Sequence, residues 1–310
     1  MRKRVLCMGS INIDLVMYSD KLPLPGETIV TDNFQTFPGG KGGNQAVALA
    51  KLGGDVSYFT KLGDDAFSLE LEEEQKLYGV DTRHIIRQKG ATSGVAMIMV
   101  DATGQNKILF TPGANALLSV QDVKDHKAIF SEFDILQITL EINPETAFEA
   151  IRTAKNKGLT VIVDPAPVPR GGIPKDIIPL IDYIKPNETE TELLTGIHVT
   201  DAQSAEVALK QLCSQGYRHP IISLGKQGLV TTDDDKILHI PAVDAKVLDT
   251  TAAGDIFLGA FTALLSQGES FERCLEFAQV AAALSVTKKG AQASIPTLAE
   301  VIEMMNRKEV

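Results

Sequence analysis

The chain has 310 residues, 44% of them hydrophobic and 23% charged, with 40 acidic against 30 basic side chains and a formal net charge of −10. A chain of this length buries roughly three quarters of its unfolded surface, so a core needs neither disulfides nor metals as staples. The acidic balance and the lack of a basic block argue against nucleic acid as the main partner, and an anionic substrate must be drawn by a local positive site.

In chain order, residues 5–8 read as a strand. Residues 14–37 are β-rich, with Thr28-Ile29-Val30 as one extended run. Residues 43–52 read as a helix closed by Gly53-Gly54, residues 56–61 as extended, and residues 67–78 as a helix stopped at Gly79. Residues 94–111 are again β-rich, at 95–100 and 107–111, with no helix between. Asn143-Pro144 has the N-cap and first-turn chemistry of a helix, and Ala147, Ile151 and Ala154 supply its buried stripe. The apolar run 159–163 ends in Asp164. Ala205, Ala208, Leu209 and Leu212 repeat the helical stripe before Gly216, and residues 221–224 read as a strand. Such alternation predicts an α/β fold of three layers, αβα, with a mainly parallel central sheet built by right-handed crossovers. Ligands then gather beyond the carboxyl ends of the strands. The expectation is one domain over residues 1–310, with segments of about 14–38 and 94–111 forming a small β-sheet lid.

Cys7, Cys213 and Cys274 form no disulfide framework, and a reducing cytosol suits them. The basic start, residues 1–4, is followed by no apolar signal region, and the uncharged apolar stretch 256–268 is too short to span a bilayer. A cytoplasmic protein with no membrane partner is expected.

Glycine concentrates at two places. Pro38-Gly39-Gly40-Lys41-Gly42-Gly43-Asn44-Gln45 precedes a helix, exposes backbone N–H groups and adds a cation and an amide. A flexible turn with a helix cap is the plain alternative. The order matches neither the P-loop nor the dinucleotide fingerprint, which weakens a nicotinamide oxidoreductase reading. Asp249-Thr250-Thr251-Ala252-Ala253-Gly254-Asp255 opens an apolar helical run. Small residues there leave the first N–H groups open to an anion, at a helix end carrying about half a positive charge. Asp255 suits two roles: a helix cap worth about 1 kcal/mol, or a base that takes a hydroxyl proton during phosphoryl transfer.

Together these motifs resemble the two signatures of the ribokinase (PfkB-type) family of sugar kinases, and the likeness covers almost the whole chain. It extends to Gly9-Ser10-Ile11-Asn12 with Asp14, Pro25-Gly26-Glu27-Thr28, Gly63-Asp64-Asp65, Gly113-Ala114-Asn115-Ala116, residues 186–190, Leu224-Gly225 and residues 286–292. The resemblance implies an ATP-dependent kinase that phosphorylates the 5-hydroxyl of D-ribose, with deoxyribose, a hexose or a nucleoside as other substrates of the same fold. A catalytically silent sugar or nucleotide sensor is the alternative of a different class.

By that resemblance Asp255 is the base, and Ala252, Ala253 and Gly254 form the anion hole. Asn12, Ile13, Asp14, Gly40, Lys41, Gly42, Gly43, Asn44 and Glu141 fall at the sugar. Asn187, Ser223, Leu224, Gly225, Lys226, Gln227, Gly228, Gly254 and Gln279 fall at ATP. Asp249, Thr251, Ser285, Lys288, Gly290 and Ser294 match a loop holding a monovalent cation, usually K⁺, chiefly through backbone oxygens. Glu190 lies in a motif linked to Mg²⁺ and phosphate, and Asn187 with Glu190 also has capping-box spacing. A homodimer formed through the β-lid is implied as well. Leu258 stands where many relatives carry a polar residue.

Overall fold

The computed structural model describes residues 2–233 and 236–308. The chain opens with β1 (Arg4–Met8), β2 (Asn12–Tyr18) and β3 (Phe34–Gly39), then α1 (Lys41–Lys51), β4 (Asp55–Phe59), β5 (Lys61–Leu62) and α2 (Ala66–Leu77). It continues through β6 (Ile86–Arg87), β7 (Gly94–Val100), β8 (Asn106–Thr111), α3 (Val120–Asp125), β9 (Ile135–Thr139), α4 (Pro144–Asn156), β10 (Thr160–Asp164) and β11 (Tyr183–Ile184). The remainder holds α5 (Glu188–Thr195), α6 (Ala202–Gln215), β12 (His219–Ser223), β13 (Leu229–Asp233), β14 (Lys236–Ile240), α7 (Ala253–Ser266), α8 (Phe271–Ser285) and α9 (Leu298–Lys308).

The main sheet runs β14-β13-β12-β11-β10-β9-β1-β4. It is parallel from β4 to β12 and ends in an antiparallel meander at β13 and β14. Strand side chains alternate between faces. Val5 and Cys7 join a core with Leu49, Phe261 and Leu275, whereas Leu6 and Met8 join a second core with Ile151 and Leu209. Helices α1, α7 and α8 therefore cover one face, and α4 and α6 the other. Each large apolar side chain buried there contributes roughly 1.5–3 kcal/mol of transfer free energy, so the sheet is a rigid floor for the loops at its edges.

Local chemistry sets the helix ends. Asn143 accepts the Glu145 N–H at 3.0 Å ahead of Pro144, and Asn187 with Glu190 forms a reciprocal capping box. α1 begins at Lys41, two residues before the expected start at residue 43, because Gly42 and Gly43 sit inside its buried first turn.

A second sheet, ordered β3-β2-β7-β8, uses both segments assigned to a lid. Asn12 pairs with Gly39 on one side and Gly94 on the other, so this sheet springs from the same point as the glycine motif. Residues 28–30, expected as a strand, are not one. Both edges of β2 are taken by β3 and β7, and the chain turns at Gly26 and rejoins Tyr18 only at Thr31, whose hydroxyl donates to the Tyr18 carbonyl, and at Asn33. Val30 is left 94% exposed, since β-propensity yields a strand only where a sheet surface exists to pack on.

Candidate active site

The two glycine-bearing motifs meet beyond the carboxyl end of β1. Gly40, at φ +85°, turns the chain into α1, and a Cβ there would lie 2.7 Å from the Ser10 carbonyl oxygen. Only glycine fits both the angle and the approach. The turn carries Lys41, Asn44 and Gln45 to the start of α7. Gly42 and Gly43 are buried in the same turn, so part of this glycine cluster answers to chain packing.

The N-cap of α7 is Ala252, whose φ of +60° is left-handed, a conformation costing a residue with a Cβ roughly 1–2 kcal/mol. No side chain caps this helix. The Ala253 N–H turns back to the Thr250 carbonyl at 3.2 Å, while the N–H groups of Ala252, Gly254 and Asp255 donate to no acceptor among the described residues. Asp255 is 6% exposed. The capping role open to it is not taken: its carboxylate accepts from Asn44 Nδ2 at 3.0 Å and Gln45 Nε2 at 3.2 Å. One turn further on, a Cβ at Gly259 would stand 2.6 Å from Ala48 Cβ and 2.8 Å from the Gln45 carbonyl oxygen. The absent side chain lets α7 touch the α1 backbone, which aligns Asp255 with Asn44 and Gln45.

Gln45 also donates to Asp164 Oδ2 at 2.7 Å and accepts from Gln137 at 3.0 Å. Burial pushes the Asp164 carboxyl up, and Asp255 and Glu190 add to this, against the opposing pull of Lys185 and Lys41. Burial alone would pull Lys41 down, but Asp255, Asp164, Glu141 and Glu190 together hold its ammonium above the ordinary lysine value. Lys185 is 5% exposed, lines the cleft described below and stands 3.0 Å from where a Cβ on Gly254 would be. Two cations are thus held inside a strongly acidic protein, on either side of Asp255.

On the second-sheet side, Glu141 accepts from the Ser10 hydroxyl and from the Lys41 N–H, the latter at 3.3 Å. Asp14 is raised to about 6, by burial first and then by repulsion from Glu141. Asn12 is buried, and its Oδ1 accepts from Asn115 Nδ2 at 2.8 Å; Asn115 also pairs with both backbone groups of Ile11 at 3.0 Å. The side chains of Ile13 and Leu258 are wholly buried in the core, so the polar-to-apolar departure at Leu258 faces packing.

On the other side of Asp255 lies a cleft of about 790 Å³. Asn187, Ser223, Gly225, Lys226, Gly228, Gly254 and Gln279 all line it. Leu224 is buried behind it, and the Gln227 side chain is turned to the Thr200 carbonyl at 3.2 Å. Glu190 Oε2 accepts the Asn187 N–H at 2.9 Å.

The structure also joins residues 249–251 to residues 285–294. Asp249 accepts from Thr251 N and Oγ1 at 2.9 and 2.6 Å and from Gly290 N at 2.9 Å. Burial would raise this carboxyl, but those donors hold it below its usual value. The carbonyls of Asp249, Thr251, Lys288, Gly290 and Ser294 accept no hydrogen bond among the described residues, whereas that of Ser285 accepts from Lys288 N at 3.0 Å. The Lys288 ammonium is drawn off to Glu300 at 2.8 Å.

Sequence reasoning missed Gln45, Asn115, Asp164 and Lys185 as parts of the site. A signal existed for the last two: each is a charged residue at the carboxyl end of an apolar parallel strand, where α/β folds place ligands.

A model of the pfkB family carbohydrate kinases matches residues 2–298. The chain is 39% identical over 305 residues to a ribokinase of Haemophilus influenzae, covering 98% of this chain and 99% of that one. It is 34% identical over 305 residues to a deoxyribokinase of Salmonella typhi, covering 98% and 99%. The structure of an Arabidopsis thaliana ribokinase complexed with ribose and ATP superposes with a TM-score of 0.91 at 31% identity, covering 98% of this chain and 99% of that one.

Proposed function

The chain belongs to the pfkB family of carbohydrate kinases, and on that premise we propose that it transfers the γ-phosphoryl group of ATP to the 5-hydroxyl of D-ribose, giving ribose 5-phosphate and ADP. The observation that carries this reading is Asp255. It is a buried carboxylate beside unused helix N-terminal amides, with a nucleotide-sized cleft on one side and a set of carboxylates and amides on the other.

In this reading Asp255 accepts the hydroxyl proton as the oxygen attacks, and Asn44 and Gln45 fix its orientation. The amides of Gly254 and Asp255, the α7 dipole and Lys185 stabilise the charge on the transferring group. Asp14, Glu141, Asn12 and Lys41 hold the sugar hydroxyls, a chemistry that suits a free sugar better than an apolar base. The second sheet acts as a lid that excludes water, and its exposed Ile108 and Phe110, on the face that carries Asp14, pair with a second copy of the chain.

Among the described residues no three acidic, histidine or cysteine side chains gather as a metal cage. Mg²⁺ would therefore arrive with ATP, neutralising phosphate charge, and Glu190 offers it the Oε1 that accepts no hydrogen bond. The five uncommitted carbonyls around Asp249 fit a monovalent cation such as K⁺, which would add fixed positive charge near α7. No described helix is long and apolar enough to cross a membrane, and no disulfide joins the three cysteines, which supports a cytoplasmic location.

The test is a coupled ADP-release assay with D-ribose, 2-deoxy-D-ribose, hexoses and nucleosides, with the phosphorylated position identified. The highest kcat/KM is expected for D-ribose. Preference for deoxyribose overturns the substrate but keeps the kinase; ADP release with none of them overturns the reading.

A further inference from the structure

A second cleft, about 770 Å³, lies away from Asp255, and its volume is close to that of the first. Its walls are the 168–175 loop, the C-terminal end of α5 and the C-terminal end of α6, and Tyr217 lines it. The volume lies within the range of small-molecule sites, roughly 300–1,000 Å³.

The lining is half apolar and carries no carboxylate. Arg170 and Lys175 are its charged residues, and neither makes a hydrogen bond or ion pair with any described residue. Both side chains are solvent-exposed, so they are open to an anion that enters the cleft. Tyr217 is 3% exposed, and its hydroxyl makes no hydrogen bond with a described residue. Burial raises the phenol above its ordinary value, so it stays a donor. Two helix C-termini face this region, each worth about half a negative charge at most. That of α6 is already answered by the Gly216 and Tyr217 N–H groups. The two full positive charges outweigh them.

Two segments that wall this cleft begin at the catalytic site. The 168–175 loop follows directly from Asp164 at the end of β10, and Ala166 is tied to Thr139 Oγ1 at 3.0 Å. α5 has Asn187 and Glu188 in the nucleotide cleft and Leu193 and Leu194 in this one, with about 1.5 Å of rise per residue between them. A ligand wedged between loop and helix touches one segment that leads from Asp164 and one that lines the nucleotide cleft.

We propose that this cleft is an effector site for a small organic anion, a carboxylate or phosphate monoester on an apolar body, held by Arg170, Lys175 and the Tyr217 hydroxyl and coupled to nucleotide binding through α5. The inference concerns regulation and does not depend on which sugar is phosphorylated.

The test uses the whole enzyme with ADP and ribose filling the first cleft. Benzoate and phenyl phosphate serve as separate probes, and binding is followed by saturation-transfer NMR. At least one probe is expected to bind, and the two arms distinguish carboxylate from phosphate. Arg170→Gln with Lys175→Gln should weaken it about tenfold, as loss of charge-assisted hydrogen bonds does, while activity without probe is unchanged. Tyr217→Phe should weaken it less, and a control pair, Lys124→Gln with Lys127→Gln, should leave it intact. The bound probe should shift the ATP KM at least about twofold in the parent and not in the Arg170/Lys175 variant, and by linkage ADP should shift probe affinity equally. Binding of neither probe, binding that survives the double substitution, or binding with an unchanged KM each overturns the proposal.

Discussion

At Asp255 one carboxylate could have served the helix or the chemistry, and its partners decide between them. A capping side chain would bond its own helix, yet Asp255 accepts from Asn44 and Gln45 of another. Asp255→Asn keeps the volume and an acceptor oxygen but removes the base. kcat should fall by about 10²–10⁴. Stability should change by about one hydrogen bond, near 1 kcal/mol, or no more than roughly 2–4 °C in Tm. Steady-state kinetics and thermal melts check both, and near-normal turnover removes the assignment.

Asp14 gives a pH dependence at the same scale. Its folded value, about 6, lies above the ordinary 3.8 because burial and Glu141 disfavour the charge. In the window from about 4 to 6 the folded state therefore binds more protons than the unfolded one, and stability contributed at this residue decreases as pH rises through it. Sugar binding runs the other way, since the ionised carboxylate is the acceptor for hydroxyls. The sugar KM should rise as pH falls below about 6, with the ATP KM little affected, and Asp14→Asn should flatten the profile. A parallel rise in both constants counts against a sugar contact.

Among elements, the α1–α7 pair sets the precision of the site. α7 is apolar around most of its circumference and buried from Asp255 to Leu264, the pattern of a central helix. Its approach to α1 is fixed by the missing side chain at Gly259. Gly259→Ala should force the helices apart, costing about 1–3 kcal/mol. It should also lower kcat more than it raises either KM, because the Asp255 carboxylate shifts against its amide partners. An unchanged melt and kcat would show that the contact relaxes freely. The loop 285–294 makes a separate prediction. Activity should rise when K⁺ replaces tetramethylammonium, and Lys288→Met should keep that response, because its ammonium already belongs to Glu300. A flat response to K⁺ removes the cation from the reading.

For the molecule as a whole, the second sheet exposes large apolar groups on both faces, Ile108 and Phe110 on the face that carries Asp14 and Leu109, Met97, Met17 and Phe34 on the other. Isolated, such a surface invites association. Sedimentation should give a dimer, and Ile108→Lys with Phe110→Lys should give a monomer; a monomeric parent protein would overturn pairing through this sheet. The net charge of −10 also acquires a structural meaning. Lys41, Lys185, Lys226 and the open amides of α7 bring positive charge to the first site, and Arg170 and Lys175 bring it to the second cleft.

The alternation of apolar strands with striped helices was sufficient to specify the layered α/β fold, because period and crossover geometry are local or nearly so. Helix caps at Asn143 and Asn187 and the two glycine motifs were equally legible, since each is a few residues of short-range chemistry. What lay beyond the sequence depended on neighbours distant along the chain. Residues 28–30 have strand-forming side chains but pair with no strand of either sheet. Asp255 bonds partners more than 200 residues away. Lys185 and Asp164 become part of the site only because parallel strands bring their carboxyl ends to one line. Propensity and capping act over a turn or less, whereas the choice of partner for a buried charge is made by tertiary packing.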